Sequence, residues 1–157
     1  MYALKADASF VHSVDSSKKA KDWIDKNAEL NGVESKHTFY QQDAFDFMKA
    51  TSSNYDVIIL DPPAFAKHLS SAKKAMIGYR NLNTEGFKHI APGGILFTFS
   101  CSQVIDTLTF RKIVFQAAAQ SGRNVKILHQ LSQGPDHPVS IYHPEGEYLK
   151  GLVLYVE

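Results

Sequence analysis

The chain holds a single cysteine, Cys101, in the tripeptide Ser100-Cys101-Ser102 just after the apolar run Ile95–Phe99. A thiolate is a strong nucleophile when a nearby charge or base favours it. Further upstream a second apolar run, Val57–Leu60, ends in Asp61-Pro62-Pro63. Two successive prolines cannot continue a strand ladder, so they stiffen the backbone and fix the preceding carboxylate. Two strand-like segments therefore deliver an acid and a thiol at their carboxyl ends, where open α/β sheets bind ligands. The chemistry this pairing suggests is covalent catalysis by the sulfur, with the carboxylate acting on the same substrate. Two plainer readings compete with it. A free cysteine is often a small buried hydrophobe, and Asp-Pro-Pro can be a simple strand-ending turn.

Two more acids follow strand-like runs. Asp15 closes Phe10–Val14, and Asp43 follows His37–Tyr40 within Gln42-Asp43-Ala44-Phe45. An acid at such a position can hold ribose hydroxyls in nucleotide-binding α/β folds, but Asp is also a common helix cap. For Asp43 alone, the cap is the favoured reading. The seven histidines show no close spacing of the kind metal sites use, and with one cysteine no metal site is expected. His137, in Pro135-Asp136-His137-Pro138, has the only distinctive setting. The stretch containing Lys67, His68, Lys73, Lys74, Tyr79, Arg80 and Lys88 is basic. Most of it reads as a solvated helix face, with part available to meet phosphates.

The elements that must position these groups alternate β-rich runs with helical stretches, the pattern of βα units on a mostly parallel sheet. Strands are expected at Phe10–Val14, His37–Tyr40, Tyr55–Leu60, Ile95–Phe99, Val125–Leu131 and Leu149–Val156. Helical spacing covers about Lys18–Leu30, a segment through Phe45 and Met48, roughly Ser71–Ile90, and Asp106–Ser121. Ser16 or Ser17 caps the first of these. Asn31-Gly32, Pro92-Gly93-Gly94 and Gly122 serve as stops. The segment Ser132–Tyr148 reads as an ordered loop.

At 157 residues with 44% hydrophobic and 21% charged residues, the composition is that of one globular domain. The formal net charge of +1 supplies no global field for nucleic acid, so such binding needs a local patch. A lone cysteine makes no internal disulfide. No apolar stretch is long enough to cross a bilayer, and Met1–Ala6 lacks the apolar core of a signal peptide. A cytoplasmic location is expected.

Together these residues resemble the catalytic domain of class I S-adenosylmethionine-dependent methyltransferases. Within that class the chain is most similar to bacterial 23S ribosomal RNA cytosine-5 methyltransferases of the RlmI type. The resemblance rests on Tyr2-Ala3-Leu4-Lys5-Ala6, Val14-Asp15-Ser16-Ser17, Asn27 to Asn31-Gly32, Asp43-Ala44-Phe45 and Asp61-Pro62-Pro63-Ala64-Phe65. It continues through Gly78-Tyr79-Arg80-Asn81-Leu82-Asn83, Pro92-Gly93-Gly94, Ser100-Cys101-Ser102, Pro135-Asp136-His137-Pro138 and Tyr148-Leu149-Lys150-Gly151-Leu152. Asp-Pro-Pro alone is shared by many methyltransferases; Ser-Cys-Ser with Pro-Asp-His-Pro narrows the match.

The resemblance implies an α/β, Rossmann-like methyltransferase sheet with flanking helices, and S-adenosyl-L-methionine as cofactor. Asp15 with Ser16 would bind its ribose, and Asp43 with Ala44 its adenine. Asp61 with Pro62 would sit between the methyl donor and the target base. Cys101 would be the nucleophile. Pro63, Phe65, Lys67, Tyr79, Arg80, Ser100 and His137 would line the RNA substrate. The implied partner is 23S ribosomal RNA, with no membrane.

One departure from the family pattern bears on these expectations. No glycine-rich turn precedes Asp15, and the strand that leads into that turn, central in the family sheet, has no counterpart here. The chain is thus expected to be a partial catalytic domain, 1–157, from the carboxyl-terminal part of a longer enzyme. Two ladder edges would be left open. Strand rearrangement or homodimer formation is the expected response, with poor cofactor binding. A nucleobase N-methyltransferase of the same fold, with Cys101 a bystander, and a non-catalytic fragment without cofactor stand as alternatives.

Overall fold

A computed structural model describes residues 1–157. The chain divides into two compact units, Met1–Thr51 and Ser52–Glu157.

The first unit begins with a single helical turn, α1 (Tyr2–Lys5). Strand β1 (Val11–Val14) follows, and then helix α2 (Lys18–Leu30), strand β2 (His37–Tyr40) and helix α3 (Ala44–Ala50). Strands β1 and β2 pair in parallel, His12 opposite Thr38 and Val14 opposite Tyr40. Ser17 caps α2, its hydroxyl accepting from the Ala20 N–H at 3.3 Å. Gly32 follows the helix at φ +62°, a left-handed conformation that a Cβ would strain. The unit's apolar cluster is small: Leu4, Ala28 and Val33, with Met1, Ala8 and Val11 against it. A second contact group joins the rings of His12, Tyr40 and Phe47, with centroids 4.8–6.3 Å apart.

The second unit is a four-stranded sheet ordered β3-β4-β6-β5. Its strands are β3 (Tyr55–Leu60), β4 (Ile90–Ser100), β5 (Val125–Leu131) and β6 (Lys150–Val156), with helices α4 (Ala72–His89) and α5 (Thr107–Ser121). β3 and β4 are parallel, while β6 runs antiparallel to both β4 and β5. The alternation of strand side chains puts Ile58, Leu60, Leu96, Thr98, Leu152 and Leu154 on one buried face. Helix α4 packs closely on that face at Gly86, where a Cβ would lie only 2.9 Å from Leu96 and 3.0 Å from Leu60. The opposite face of β3 stays open, with Val57 52% and Ile59 66% exposed. Arg123 ties the far end of the unit together: its guanidinium donates to the carbonyls of Phe87, Ile90 and Glu157.

Element types follow the sequence reading throughout, and two details differ. Strand β4 starts at Ile90, so Pro92-Gly93-Gly94 lies within it and does not separate helix from strand. Gly94 allows this, because a Cβ there would meet the Asp56 and Ala91 carbonyl oxygens at 2.9 Å. Of the two expected responses, strand rearrangement or homodimer formation, the first is not seen within the chain. β1 pairs with β2 alone, and β3 with β4 alone, so no segment of the chain moves in to cover their outer edges.

Candidate active site

Chemistry in the second unit gathers at the carboxyl ends of β3 and β4. The ladder sets Leu60 opposite Thr98, so Asp61 leaves β3 one step on and Cys101 leaves the neighbouring strand slightly further along. Asp61 is exposed, and Pro62 and Pro63 carry the chain away from the sheet. Cys101 is a free thiol with intermediate exposure, whereas Ser100 and Ser102 on either side are both 0% exposed. Cys101 is thus partly exposed between two anchored neighbours, and is not fully buried core filling.

The anchoring is a hydroxyl node. Tyr79, fully buried on α4, places its hydroxyl 3.0 Å from the Ser102 hydroxyl. The Ala66 N–H donates to the Ser102 Oγ at 3.4 Å, and the Phe65 N–H to the Tyr79 hydroxyl at 3.5 Å. The Ser102 N–H in turn donates to the Ser100 Oγ at 3.4 Å. One pair of buried hydroxyls therefore clasps the loop carrying Asp61-Pro62-Pro63 to the loop carrying Cys101. The phenol ring also stacks on Phe65, with centroids 4.5 Å apart. At Gly78 a Cβ would press on the Phe65 ring at 3.0 Å, so the small residue lets α4 come this near.

A third segment closes on the same loop. Lys150, 7% exposed, donates from Nζ to the carbonyls of Ser102 and Tyr148, each at 2.6 Å. Burial pushes its pKa below the ordinary lysine value, while Cys101 and Asp106 act in the opposite direction. The Gln103 amide donates to the Glu145 carbonyl at 3.2 Å. Asp106 caps α5, accepting from the Thr109 N–H at 2.7 Å, and that hydrogen bond holds its carboxyl below the usual range.

The residues expected to line a substrate divide into two groups. Pro63, Phe65, Lys67 and Arg80 keep exposed or intermediate surface. Tyr79 and Ser100 have none, so they brace the two loops from beneath and cannot meet a bound base. His137 is exposed in the loop after β5, its Nδ1 3.3 Å from the Asp136 carboxylate. That loop frames a groove of about 530 Å³, and a second groove of about 460 Å³ runs past Gln103, Asp106 and Lys150. Neither includes Cys101 or Asp61. Ser102 and Lys150 are the members that sequence reasoning left without a role. Both stood inside quoted motifs, but their burial depends on the β4–β6 pairing.

In the first unit, Asp15 and Asp43 follow adjacent parallel strands, and both are exposed. Asp15 Oδ1 accepts from the Ser17 N–H at 2.7 Å. Asp43 caps α3, its Oδ1 accepting from Phe45 at 2.8 Å and from Asp46 at 3.3 Å. The cap reading of Asp43 therefore holds. In each carboxylate the bonds use Oδ1, leaving Oδ2 as an acceptor. Such a pair fits the donors of a nucleoside, the ribose hydroxyls and the adenine amine. No group of His, Cys, Asp and Glu side chains has the arrangement of a metal site.

The sheet and its flanking helices match solved structures of S-adenosylmethionine-dependent methyltransferases. A Streptococcus mutans protein assigned to that class superimposes with a TM-score of 0.78 over 94% of this chain and 39% of its own, at 22% identity. A methyltransferase structure complexed with SAH gives a TM-score of 0.80 at the same coverage and identity. The fold is therefore that of this methyltransferase class. Residues 2–90 match the family described as conserved hypothetical protein 95. Over 98% of its length the chain is 44% identical to ribosomal RNA large subunit methyltransferase I of Aeromonas hydrophila, and 40% identical to that of Klebsiella pneumoniae. The chain belongs to the family described as conserved hypothetical protein 95. It spans 40% of the length of these relatives.

Proposed function

We propose that the protein methylates carbon 5 of a cytosine in 23S ribosomal RNA, with S-adenosyl-L-methionine as donor and Cys101 as nucleophile. The observation that carries this reading is the partly exposed Cys101 held between two fully buried serines, at a strand end beside the one bearing an exposed carboxylate. Its support is the 44% identity to a ribosomal RNA large subunit methyltransferase I and the type of chemistry such a pair can perform.

Carbon 5 of cytosine is a weak nucleophile. Attack of the Cys101 thiolate on carbon 6 forms an Sγ–C6 bond and moves electron density to carbon 5. The cofactor would supply an electrophilic methyl group to carbon 5, its sulfonium–methyl bond breaking to leave a neutral thioether. Loss of the carbon 5 proton to a base then lets the Sγ–C6 bond break, which restores both the aromatic ring and the thiolate. Asp61 accepts a hydrogen bond from the exocyclic amine or protonated nitrogen 3, stabilising the adduct. Asp15 with Ser16, and Asp43 with Ala44, hold the ribose and adenine of the cofactor, and Pro62 lies at the donor. Lys67 and Arg80 meet RNA phosphates, with Pro63, Phe65 and His137 along the substrate path. The setting is the cytoplasm. The outer edges of β1 and β3 are where a second copy would add in a homodimer; sedimentation giving a monomer at micromolar concentration removes that part.

The test is Cys101→Ser in the protein carrying this chain, assayed on unmodified 23S RNA. Methylation should fall by at least about a thousandfold, since the covalent route is lost. Undiminished methylation excludes the thiol mechanism and leaves a nitrogen of the base as the acceptor, with Cys101 a bystander.

A further inference from the structure

Helix α2 turns one side to its own unit, where Ala28 is 2% exposed, and the other to solvent. On the solvent side Lys19, Trp23, Lys26 and Leu30 follow a spacing that lines up one stripe, about 60° wide at 3.6 residues per turn. All four are exposed, Trp23 by 65% and Leu30 by 74%. The Lys26 ammonium lies 5.9 Å from the centre of the indole. Neither Lys19 nor Lys26 has an ion-pair partner. The acids of the helix, Asp22, Asp25 and Glu29, all fall on one flank of the stripe, and Asp25 is taken up by Lys21. Isolated apolar side chains on a surface are ordinary. An exposed indole flanked by two unpaired ammonium groups is a more specific pattern, the one that single-stranded nucleic acid requires.

We propose that this stripe of α2 is a second RNA-contact surface, separate from the strand ends that carry Asp61 and Cys101: Trp23 stacks an unpaired base, and Lys19 and Lys26 take the flanking phosphates. This rests on the reading of RNA as substrate, and takes nothing from the chemistry of Cys101. The two lysines lie about 10 Å apart along the helix axis with the indole between them, so one stacked base sits between two phosphate contacts. The net charge of +1 gives the whole chain no attraction for a polyanion, so such binding needs a local cationic patch of this kind. A helix lying on a membrane carries a broad apolar face. Here Trp23 and Leu30 are the only apolar side chains on the solvent side, and the others there are polar or charged.

Trp23 is the only tryptophan of the chain, so indole emission reports on this stripe alone. Titration with a short single-stranded RNA should quench that emission as a base stacks on the ring. With the same RNA carrying a fluorescent label, anisotropy should show Trp23→Ala binding about five- to hundredfold more weakly. Lys19→Gln and Lys26→Gln should each reduce the slope of log affinity against log salt by about 0.7. All three side chains are exposed, so these variants keep the fold. RNA that binds without quenching, or an unchanged affinity in Trp23→Ala, overturns the proposal. A blue shift on phosphatidylserine vesicles with no response to RNA assigns the stripe to a membrane surface and overturns it too. The binding assays need neither cofactor nor Cys101, so they fail separately from the methylation reading. Methylation of RNA without quenching removes the stripe and leaves the reaction; quenching without methylation removes the reaction and leaves the stripe.

Discussion

Removing one oxygen at Tyr79 tests the node that joins the loop after β3 to the loop after β4. The side chain is completely buried, and its hydroxyl contacts the Ser102 Oγ at 3.0 Å and accepts from the Phe65 N–H at 3.5 Å. Tyr79→Phe deletes the first bond outright and leaves the Phe65 amide without that acceptor. A net intramolecular hydrogen bond is worth about 1 kcal/mol, and a buried group left unpaired adds a comparable penalty. The Phe65 contact is long and partly buried, so its share is small, and the sum is about 1–2 kcal/mol. For a chain of this length that corresponds to a melting shift of about 2–8 °C. The specific claim concerns coupling between Tyr79 and Ser102. In a double-mutant cycle with Ser102→Ala, measured by denaturant unfolding, the interaction energy should be about 1 kcal/mol. Amide exchange at residues 101–103 should quicken by up to about tenfold, because the loop opens more easily. Additive effects within about 0.3 kcal/mol, with unchanged exchange, would refute the node and detach Tyr79 from the site.

Two further outcomes follow from local geometry. Asp106→Ala removes the cap of α5 and should cost about 1 kcal/mol near neutral pH, seen as a lower urea midpoint. Because its carboxyl is held below the ordinary 3.8, that contribution is present above this value and is lost as pH falls through the depressed one. The variant and its parent should therefore converge in strong acid; a constant gap down to low pH would contradict the cap. Gly94→Ala forces a Cβ against two carbonyl oxygens at 2.9 Å and Ile90 Cγ1 at 2.7 Å. Backbone cannot retreat as a side-chain tip can, so a loss of about 1–3 kcal/mol is expected. A variant melting with the parent would show that β4 has slack at this point.

The amino-acid order by itself determined the six strands and the four longer helices as types, because caps, turns and apolar periodicity act over a few residues. Asp106 caps α5, Gly122 ends it in a left-handed turn, and the apolar run Val57–Leu60 makes β3. The placement of Asp61 and Cys101 at neighbouring strand ends was legible for the same reason: an acid and a thiol each follow an apolar run. The extent of β4 was less legible, since Pro92-Gly93-Gly94 is a turn signal that sits in a bulge of the strand, between the Tyr55–Ile90 and Val57–Ile95 pairs with β3. Tertiary structure alone decided which side chains face solvent and which brace from behind. Tyr79 stood in a basic stretch and read as a substrate contact, yet the α4 face it occupies points to the core. Lys150 lay in the expected strand Leu149–Val156 with no role assigned, and its register opposite Ser100 goes with an ammonium bound to the Ser102 carbonyl. Burial and register depend on residues distant in the chain, and short-range pattern holds no record of them.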